Sequence, residues 1–335
     1  MGLTTNLLTI SVLVLIGSVY IMYNYEVPSC RLDTIDLTDK IVVVTGANSG
    51  IGYQIAYEAA KRNARVILGC RNPEKGRIAR EKISQETGSK SVAVIGLDLS
   101  SMKRVQKFVD KLKEMYGRVD VLINNAAQGR VSTERETTRE GLEEMIATNH
   151  LGPVHLSTRI LPILSTHGKI ITISSGSNLY SGIINPTDLN SEHKYSPGTL
   201  YAETKLLNIM MTRSLESILK PGQSSFSVDP GFSLSLLQLP QSLSSIIRVL
   251  QPVLPSVPCS YACLTSIWLA GGQTGEIEIG ETEDKNQSQE NPGSGSHWYD
   301  CKLSVKVEKQ AQDQELRDKV WSESKNLINS ALYST

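Results

Sequence analysis

The sequence predicts an α/β fold, with one doubly wound parallel sheet and helices on both of its faces. From Lys40 onward, short runs rich in Val and Ile alternate with longer stretches of helical period. The apolar runs lack polar alternation, as expected of strands covered on both sides. A glycine-rich turn follows directly on the first of them. Composition agrees: 40% of the 335 residues are hydrophobic, enough for a sizeable core. The 34 Lys+Arg are balanced by 34 Asp+Glu, which argues against a partner such as nucleic acid that needs a basic face.

Ahead of the alternating part, residues 7–22 (LLTISVLVLIGSVYIM) are almost all apolar, and no charged side chain occurs before Glu26. With Thr4 to Asn6 in front, the uncharged stretch reaches the roughly 20 residues needed to span hydrocarbon. Tyr20, Tyr23 and Tyr25 suit a headgroup boundary. A membrane anchor over residues 1–25 is the expectation. A cleaved signal peptide and a buried core helix are the alternatives, although a basic leader is missing and Gly17-Ser18-Val19 makes a poor cleavage site. Arg31 and Lys40 follow the segment and no basic residue precedes it, which turns the rest of the chain toward the cytosol. The Asn286-Gln287-Ser288 sequon matters only in the opposite orientation. The cysteines (30, 70, 259, 263 and 301) are scattered, without a Cys-x-x-Cys pair. That spacing indicates neither a zinc site nor a disulfide framework, and suggests reducing surroundings.

Five buried strands are read at Ile41–Thr45, Arg65–Gly69, Val92–Leu97, Val119–Asn124 and Lys169–Ser174. Helices are read between them at Ile51–Arg62, Pro73–Thr87, Ser101–Tyr116 and about 141–165. Repeats of this length build right-handed crossovers. A helix over Thr199–Lys220 ends at Pro221-Gly222, and Ser224–Val228 is a sixth strand. Residues 232–258 are rich in Leu, Ser and Pro. A helix at Ser260–Ala270, a short strand at Glu276–Ile279, an exposed loop over 281–296 and an amphipathic helix at about 309–332 complete the chain.

The chemistry sits at strand ends. The first strand runs into Thr45-Gly46-Ala47-Asn48-Ser49-Gly50-Ile51-Gly52, where glycines let backbone approach a pyrophosphate and a helix N-terminus presents free N–H groups. This makes the sheet Rossmann-type. The second strand ends in Gly69-Cys70-Arg71-Asn72, with no acid until Glu74. An acid there would select NAD(H) through the ribose hydroxyl; Arg71 instead suits the 2′-phosphate of NADP(H). Asp98 after the third strand is placed for the adenine edge, and Asn124-Asn125-Ala126-Ala127 after the fourth lies where the cofactor would cross. Tyr201 and Lys205 fall at i and i+4, on one helical face. A phenol with a pKa of about 10 needs a neighbouring cation to act at neutral pH, and Lys205 is expected to lower it. Ser175, ending the fifth strand, can hydrogen-bond the substrate oxygen. Asn149 can anchor a water that relays protons to Lys205.

Together these pieces, with Asp229-Pro230-Gly231, stand in the order found in the short-chain dehydrogenase/reductases, which the chain resembles over about residues 38–280. The resemblance implies catalytic roles for Ser175, Tyr201, Lys205 and Asn149 in hydride transfer. It implies cofactor contacts from Gly46, Asn48, Ser49, Gly50, Ile51, Gly52, Arg71, Asp98, Leu99, Asn125, Ala126, Tyr201, Lys205, Pro230 and Gly231, with no metal. The N-terminal segment, the Cys70-Arg71-Asn72 turn, the insert containing Asn185-Pro186-Thr187-Asp188-Leu189, and Gly295-Ser296-His297-Trp298-Tyr299 are similar to the membrane-anchored, retinol dehydrogenase-like group. That implies residues 1–25 as anchor, 26–39 as linker, 40–300 as catalytic domain and 301–335 as a helical tail. It also implies a homodimer through the helices beginning near 141 and 199. The expected location is the endoplasmic reticulum or a lipid droplet, with the domain facing the cytosol. An apolar lid over 232–270 suits a lipophilic alcohol or aldehyde: a retinoid, sterol, polyprenoid or fatty aldehyde. Two residues depart from the family pattern: Ala127 stands where Gly is usual, and Phe232-Ser233-Leu234-Ser235 lacks the usual Thr after Pro-Gly. The alternative reading is a catalytically silent, NADP(H)-binding scaffold at the membrane.

Overall fold

Val42, Val43 and Val44 are fully buried, which places strand β1 (Ile41–Thr45) at the centre of the sheet. The computed structural model describes residue 30 and residues 32–129, 134–231, 259–272, 294–304 and 307–334. Around β1 the chain lays down α1 (Gly50–Lys61), β2 (Arg65–Cys70), α2 (Pro73–Thr87), β3 (Val92–Gly96), α3 (Met102–Tyr116) and β4 (Val119–Asn124). A turn of α-helix at Glu144–Ile146 and a π-helical turn at Ala147–Leu151 lead into α4 (Gly152–Ile160). Then come β5 (Leu164–Ile173), α5 (Pro197–Glu216), β6 (Ser224–Asp229), α6 (Leu264–Ala270), β7 (His297–Tyr299), β8 (Lys302–Leu303) and α7 (Gln314–Tyr333). The sheet order is β3-β2-β1-β4-β5-β6-β7-β8; β1 to β7 are parallel and β8 returns antiparallel. Strand order reverses between β1 and β4, the switch point outside which such sheets open a crevice.

The period-2 alternation of the strands divides the core. Ile41, Val43 and Ile67 point into one cluster with α3, α4, α5 and α7, whereas Val42, Val44, Val66 and Leu68 point into the other with α1, α2 and α6. The helix expected over 141–165 is broken. Pro153 stands at its midpoint, the π turn widens it at Asn149, and β5 begins at Leu164, earlier than the polar Ser165-Thr166-His167 suggested. The anchor at 1–25, the 232–258 part of the lid expected over 232–270, and the strand at Glu276–Ile279 lie outside the described residues. No helix of the described residues is long and apolar enough to cross a membrane.

The sequence reading missed β7, whose fully buried Trp298 packs edge-on to Phe226 (6.4 Å) and against Trp268 (5.4 Å). It was also wrong about the cysteines. Cys30 and Cys301 are disulfide-bonded across 271 residues, with Cα atoms 5.5 Å apart. Sequence spacing could not show this pair because only the fold brings them together. Helix α7 lies on α3, α4 and α5 and supplies Val320, Ile328 and Ala331 to the core. A homodimer formed through the α4 and α5 region would therefore have to form beside α7.

Three buried imidazoles make stability depend on pH. Burial pushes His150 and His155 down to about 4 and His297 down to about 3; Arg159 adds to the effect on His155, and Arg213 to that on His297. His150 Nε2 donates to Ser324 Oγ (2.9 Å), whose own proton goes to Val320 O. Each ring folds neutral but takes a proton in the unfolded chain below about pH 6.5, so the stabilisation is present above that pH and is lost as pH falls toward the folded value. Between pH 7 and 5 the loss is expected to be about 2 kcal/mol for each ring. Glu143, Glu203 and Glu216, each pushed up by burial, work in the opposite sense but by smaller shifts. Urea midpoints at the two pH values check this, and a flat profile would contradict it.

Candidate active site

The glycine turn between β1 and α1 is held open by its neighbours. Gly46 and Gly50 have φ of 66° and 59°, a region that favours glycine. Thr45 Oγ1 accepts from the backbone N–H groups of Asn125 and Ala126 (both 3.0 Å), and Asn125 Nδ2 donates to Thr45 O (2.9 Å). The Asn125 amide thus fastens the end of β4 to the start of the turn. A Cβ on Gly46 would lie 2.9 Å from Ala126 Cα. Ser49 caps α1 without a side-chain hydrogen bond, and the first turn of α1 contains no acid. Its N–H groups and the positive end of the helix dipole suit an anion. Asn48 lies close to Ser49 (Nδ2 to Oγ, 3.4 Å), while Ile51 and Gly52 are buried beneath the turn.

At the next strand ends, Arg71 is exposed just past β2, while Asn72 caps α2 by accepting from Lys75 N (3.0 Å). Asp98 is occupied: it accepts from Ser100 N and Oγ and from Arg104 Nη1 (3.2, 2.7 and 3.1 Å). Leu99 is buried beside it, at 4% exposure. After β6, Gly231 N donates to Asp229 Oδ1 (2.9 Å), and Gly231 has φ of 74°.

The structure brings Ser175, Tyr201, Lys205 and Asn149 to the edge where β5 meets α5. Lys205, 3% exposed, donates from Nζ to Ile173 O (3.1 Å), two residues before Ser175. Its Nζ is 5.5 Å from the centre of the Tyr201 ring. Ser174 Oγ donates to Lys205 O (2.8 Å) and is buried. Ser175 is only partly buried, and its Oγ accepts from Ser177 N at 3.2 Å, which leaves the hydroxyl proton for a substrate oxygen. The Asn149 amide is engaged by protein partners. Its Oδ1 accepts from Gln128 N (2.7 Å), and its Nδ2 donates to Gln128 O (2.9 Å) and to Thr204 Oγ1 (3.2 Å). The side chain ties the loop after β4 and the π turn to α5, next to Lys205.

The electrostatics correct one expectation. Burial pushes Tyr201 up to about 12, with the Asp229 carboxylate adding to the rise. Burial brings Lys205 down to about 8 despite Asp229, which works to raise it. Burial disfavours the phenolate, so Tyr201 stands as a proton donor at neutral pH. Thr45, Gln128, Thr204 and Asp229 were not among the residues singled out from sequence. Thr45 and Asp229 were visible as parts of the T-G and D-P-G motifs, but the duty of Thr45 depends on backbone 80 residues away. A cavity of about 360 Å³ lies between Ile146, Ile183, Asp188, Lys194 and Glu203. Neither Ser175 nor Tyr201 lines it.

The family profile described as "short chain dehydrogenase" matches residues 40–223. The chain belongs to that family. It is 34% identical over 298 residues to human retinol dehydrogenase 11, covering 88% of this chain and 87% of that one. A crystal structure of an uncharacterised protein from Mycobacterium paratuberculosis superposes with a TM-score of 0.66 at 26% identity, covering 89% of this chain and 96% of that one. A short chain dehydrogenase from Shigella flexneri 2a, crystallised with NADP, has a TM-score of 0.57 at 22% identity, covering 81% of this chain and 100% of that one. This family member is a retinol dehydrogenase-like oxidoreductase acting on CH–OH groups.

Proposed function

We propose that the chain is an NADP(H)-dependent oxidoreductase that interconverts a lipophilic alcohol and its aldehyde or ketone, with Tyr201 as the acid/base group. The observation that carries this reading is the joining of Tyr201, Lys205 and Ser175 at one strand end, beside a glycine turn fixed by Thr45 and Asn125. When bound, a reduced nicotinamide supplies hydride to a carbonyl carbon, and an oxidised one accepts hydride from a carbinol.

The chain's residues do the rest. Backbone N–H groups at Ser49 to Gly52 would hold the pyrophosphate, and Pro230 and Gly231 would border the nicotinamide end. Ser175 Oγ donates to the substrate oxygen and fixes it against Tyr201. In reduction Tyr201 passes its phenolic proton to that oxygen; in oxidation it takes the proton back. Lys205, held by Ile173 O, stabilises the phenolate formed in reduction and would bind the ribose of the cofactor. Asn149 keeps Thr204, and with it this stretch of α5, in place. The raised pKa of Tyr201 favours the reductive direction, which needs the phenol protonated.

Arg71 supports NADP(H) over NAD(H), because it is exposed at the end of β2, where a 2′-phosphate would lie. Arg71→Ala is expected to weaken NADPH about 10- to 100-fold, the loss of a charge-assisted hydrogen bond, and to leave NADH unchanged. Equal loss for both would remove the assignment. Similarity to retinol dehydrogenase 11 and the apolar sequence of 232–258 support a retinoid or another lipid aldehyde.

Residues 1–25 are proposed as a membrane anchor, in the endoplasmic reticulum. Charge around that segment favours the cytosolic side, whereas the Cys30–Cys301 bond favours the oxidising lumen. Glycosidase-sensitive modification of Asn286 would decide for the lumen, and its absence together with free thiols would decide for the cytosol. NADPH oxidation by the full-length protein with a panel of lipid aldehydes tests the activity. Binding without turnover across the panel would favour the silent scaffold, a reading supported by the unusual Phe232–Ser235 segment.

A further inference from the structure

We propose that Asp229 is a positioning residue of the active site, whose carboxylate keeps Lys205 in its ammonium form. The proposal rests on the reading of the Ser175–Tyr201–Lys205 junction as an oxidoreductase site and adds what sets its working pH.

Strand alternation decides where the carboxylate points. Phe226 and Val228 of β6 pack into the cluster with α1, α2 and α6. Asp229 comes next and turns to the other face, where α5 lies. In register, Ile173 stands beside Val228, and Ser174 N donates to Val228 O (2.7 Å), so Asp229 lies level with the end of β5. Lys205 Nζ donates to the carbonyl of that same Ile173 (3.1 Å). A Cβ on Gly176, the residue after Ser175, would come within 3.1 Å of Asp229 Oδ2, so the bare backbone at 176 makes room for the carboxylate. The other oxygen is fixed, because Oδ1 accepts from Gly231 N (2.9 Å). One carboxylate thus joins the loops after β5 and β6, on the side of the sheet that carries Tyr201 and Lys205.

Lys205 needs such a partner. It is 3% exposed, and the carbonyl of Ile173 meets only part of its charge. An ammonium withdrawn from water reverts to the neutral amine unless an opposite charge is near. The surrounding elements leave that duty to Asp229. β5 brings the uncharged Ser174 and Ser175. The π turn brings Asn149 and His150, whose imidazole is tied to Ser324 and kept neutral by burial. On α5, Tyr201 is a phenol at neutral pH, and Glu203 is engaged by Thr199 and faces the charge of Lys194. β7 and its turn bring Tyr299 and Asp300; burial, then Asp229 and Asp300, push the Tyr299 phenol up, so it too is neutral. Asp229 works to raise Lys205 and Tyr201 alike, which favours the ammonium and the protonated phenol together.

The consequence is a working range. Lys205 stabilises the phenolate left after Tyr201 gives up its proton, and does so only while charged. With Asp229 in place Lys205 holds its proton up to about 8. Without the carboxylate charge it is expected to lose that proton about one pH unit lower.

The test follows Lys205 directly by NMR. Full-length protein in detergent carries lysine labelled with carbon-13 at Cε, and the Lys205 signal is identified by its absence in Lys205→Arg. Asp229→Asn keeps the shape and the acceptor for Gly231 N while removing the charge; Asp229→Ser is a second neutral variant that offers an oxygen. The expected result is a Lys205 midpoint about one pH unit lower in each variant. The alkaline limb of kcat/KM for aldehyde reduction should move with it, giving rates close to wild type at pH 6 and about tenfold lower at pH 9. A merely structural role would leave both midpoints in place. An unmoved Lys205 midpoint in either folded variant would overturn the proposal. Failure of both variants to show a folded thermal transition would also overturn it, by assigning Asp229 to the fold. Absence of turnover with every aldehyde tried would remove the oxidoreductase reading, while the Lys205 titration would still decide whether Asp229 holds its charge.

Discussion

Tyr201→Phe is expected to lower the rate of carbonyl reduction by about 10²- to 10⁴-fold, the range lost when a positioned acid is removed. NADPH affinity should stay close to that of the wild type. At the β5–α5 junction Ser174 is committed to Lys205 O and Lys205 to Ile173 O, and Ser175 can orient the substrate oxygen by a hydrogen bond, which leaves the acidic proton to the phenol. Phenylalanine keeps the ring and the packing of α5 and removes only the oxygen. Burial holds the Tyr201 phenol near 12, so the reductive rate should stay flat through neutral pH and not rise with ionisation of the tyrosine. Single-turnover rates with a retinal, together with NADPH titration by fluorescence, separate the two effects. Loss of NADPH binding in the variant would mean that Tyr201 organises the site and does not supply the proton.

Gly52→Ala is expected to weaken NADPH by 100-fold or more, equivalent to about 3 kcal/mol. A Cβ there would land on Asn125 Nδ2 and lie 2.7 Å from the Gly46 carbonyl. Neither neighbour can give way cheaply. The Asn125 amide holds Thr45 O at 2.9 Å, and the Gly46 carbonyl is part of the turn itself. Relief of the clash must open the turn or break the bond between β4 and β1, and either moves the N–H groups intended for the pyrophosphate. Overpacking at a buried site also costs about 1–3 kcal/mol of stability. A thermal melt beside the NADPH titration distinguishes a local opening from general unfolding. Unchanged affinity would show that the cofactor does not rest on this turn.

Much of the frame could be read from the amino acids, because buried parallel strands are written as continuous Val and Ile runs. β1 and β4 and helix α2 fall at the expected residues, and β2, β3 and β6 within one residue of them. Legibility failed where the defining interaction is remote. His297-Trp298-Tyr299 is too short to announce a strand, and becomes one only by pairing with Ser227 to Asp229. The π turn at Asn149 depends on Gln128 and Thr204, and the Cys30–Cys301 bond on a chain that closes over 271 residues.

The same division runs through the site. Motif spacing placed Tyr201 and Lys205 on one helix face and the glycines in one turn. It did not reveal that Asn125 and Asn149 direct their amides to backbone, or that burial and Asp229 raise the Tyr201 pKa. Those properties belong to packing, where two groups close in sequence can be outweighed by what surrounds them.

The central claim is hydride transfer between NADP(H) and a lipophilic carbonyl at the Ser175–Tyr201–Lys205 site. The most direct measurement incubates the full-length protein with deuterium-labelled NADPH and all-trans-retinal, then examines the recovered retinoid by mass spectrometry. The account predicts retinol carrying one deuterium at the carbinol carbon, formed about 10²-fold or more slowly by Tyr201→Phe. Retinal recovered unchanged, with a short polyprenal and a fatty aldehyde equally untouched while NADPH remains bound, would contradict it.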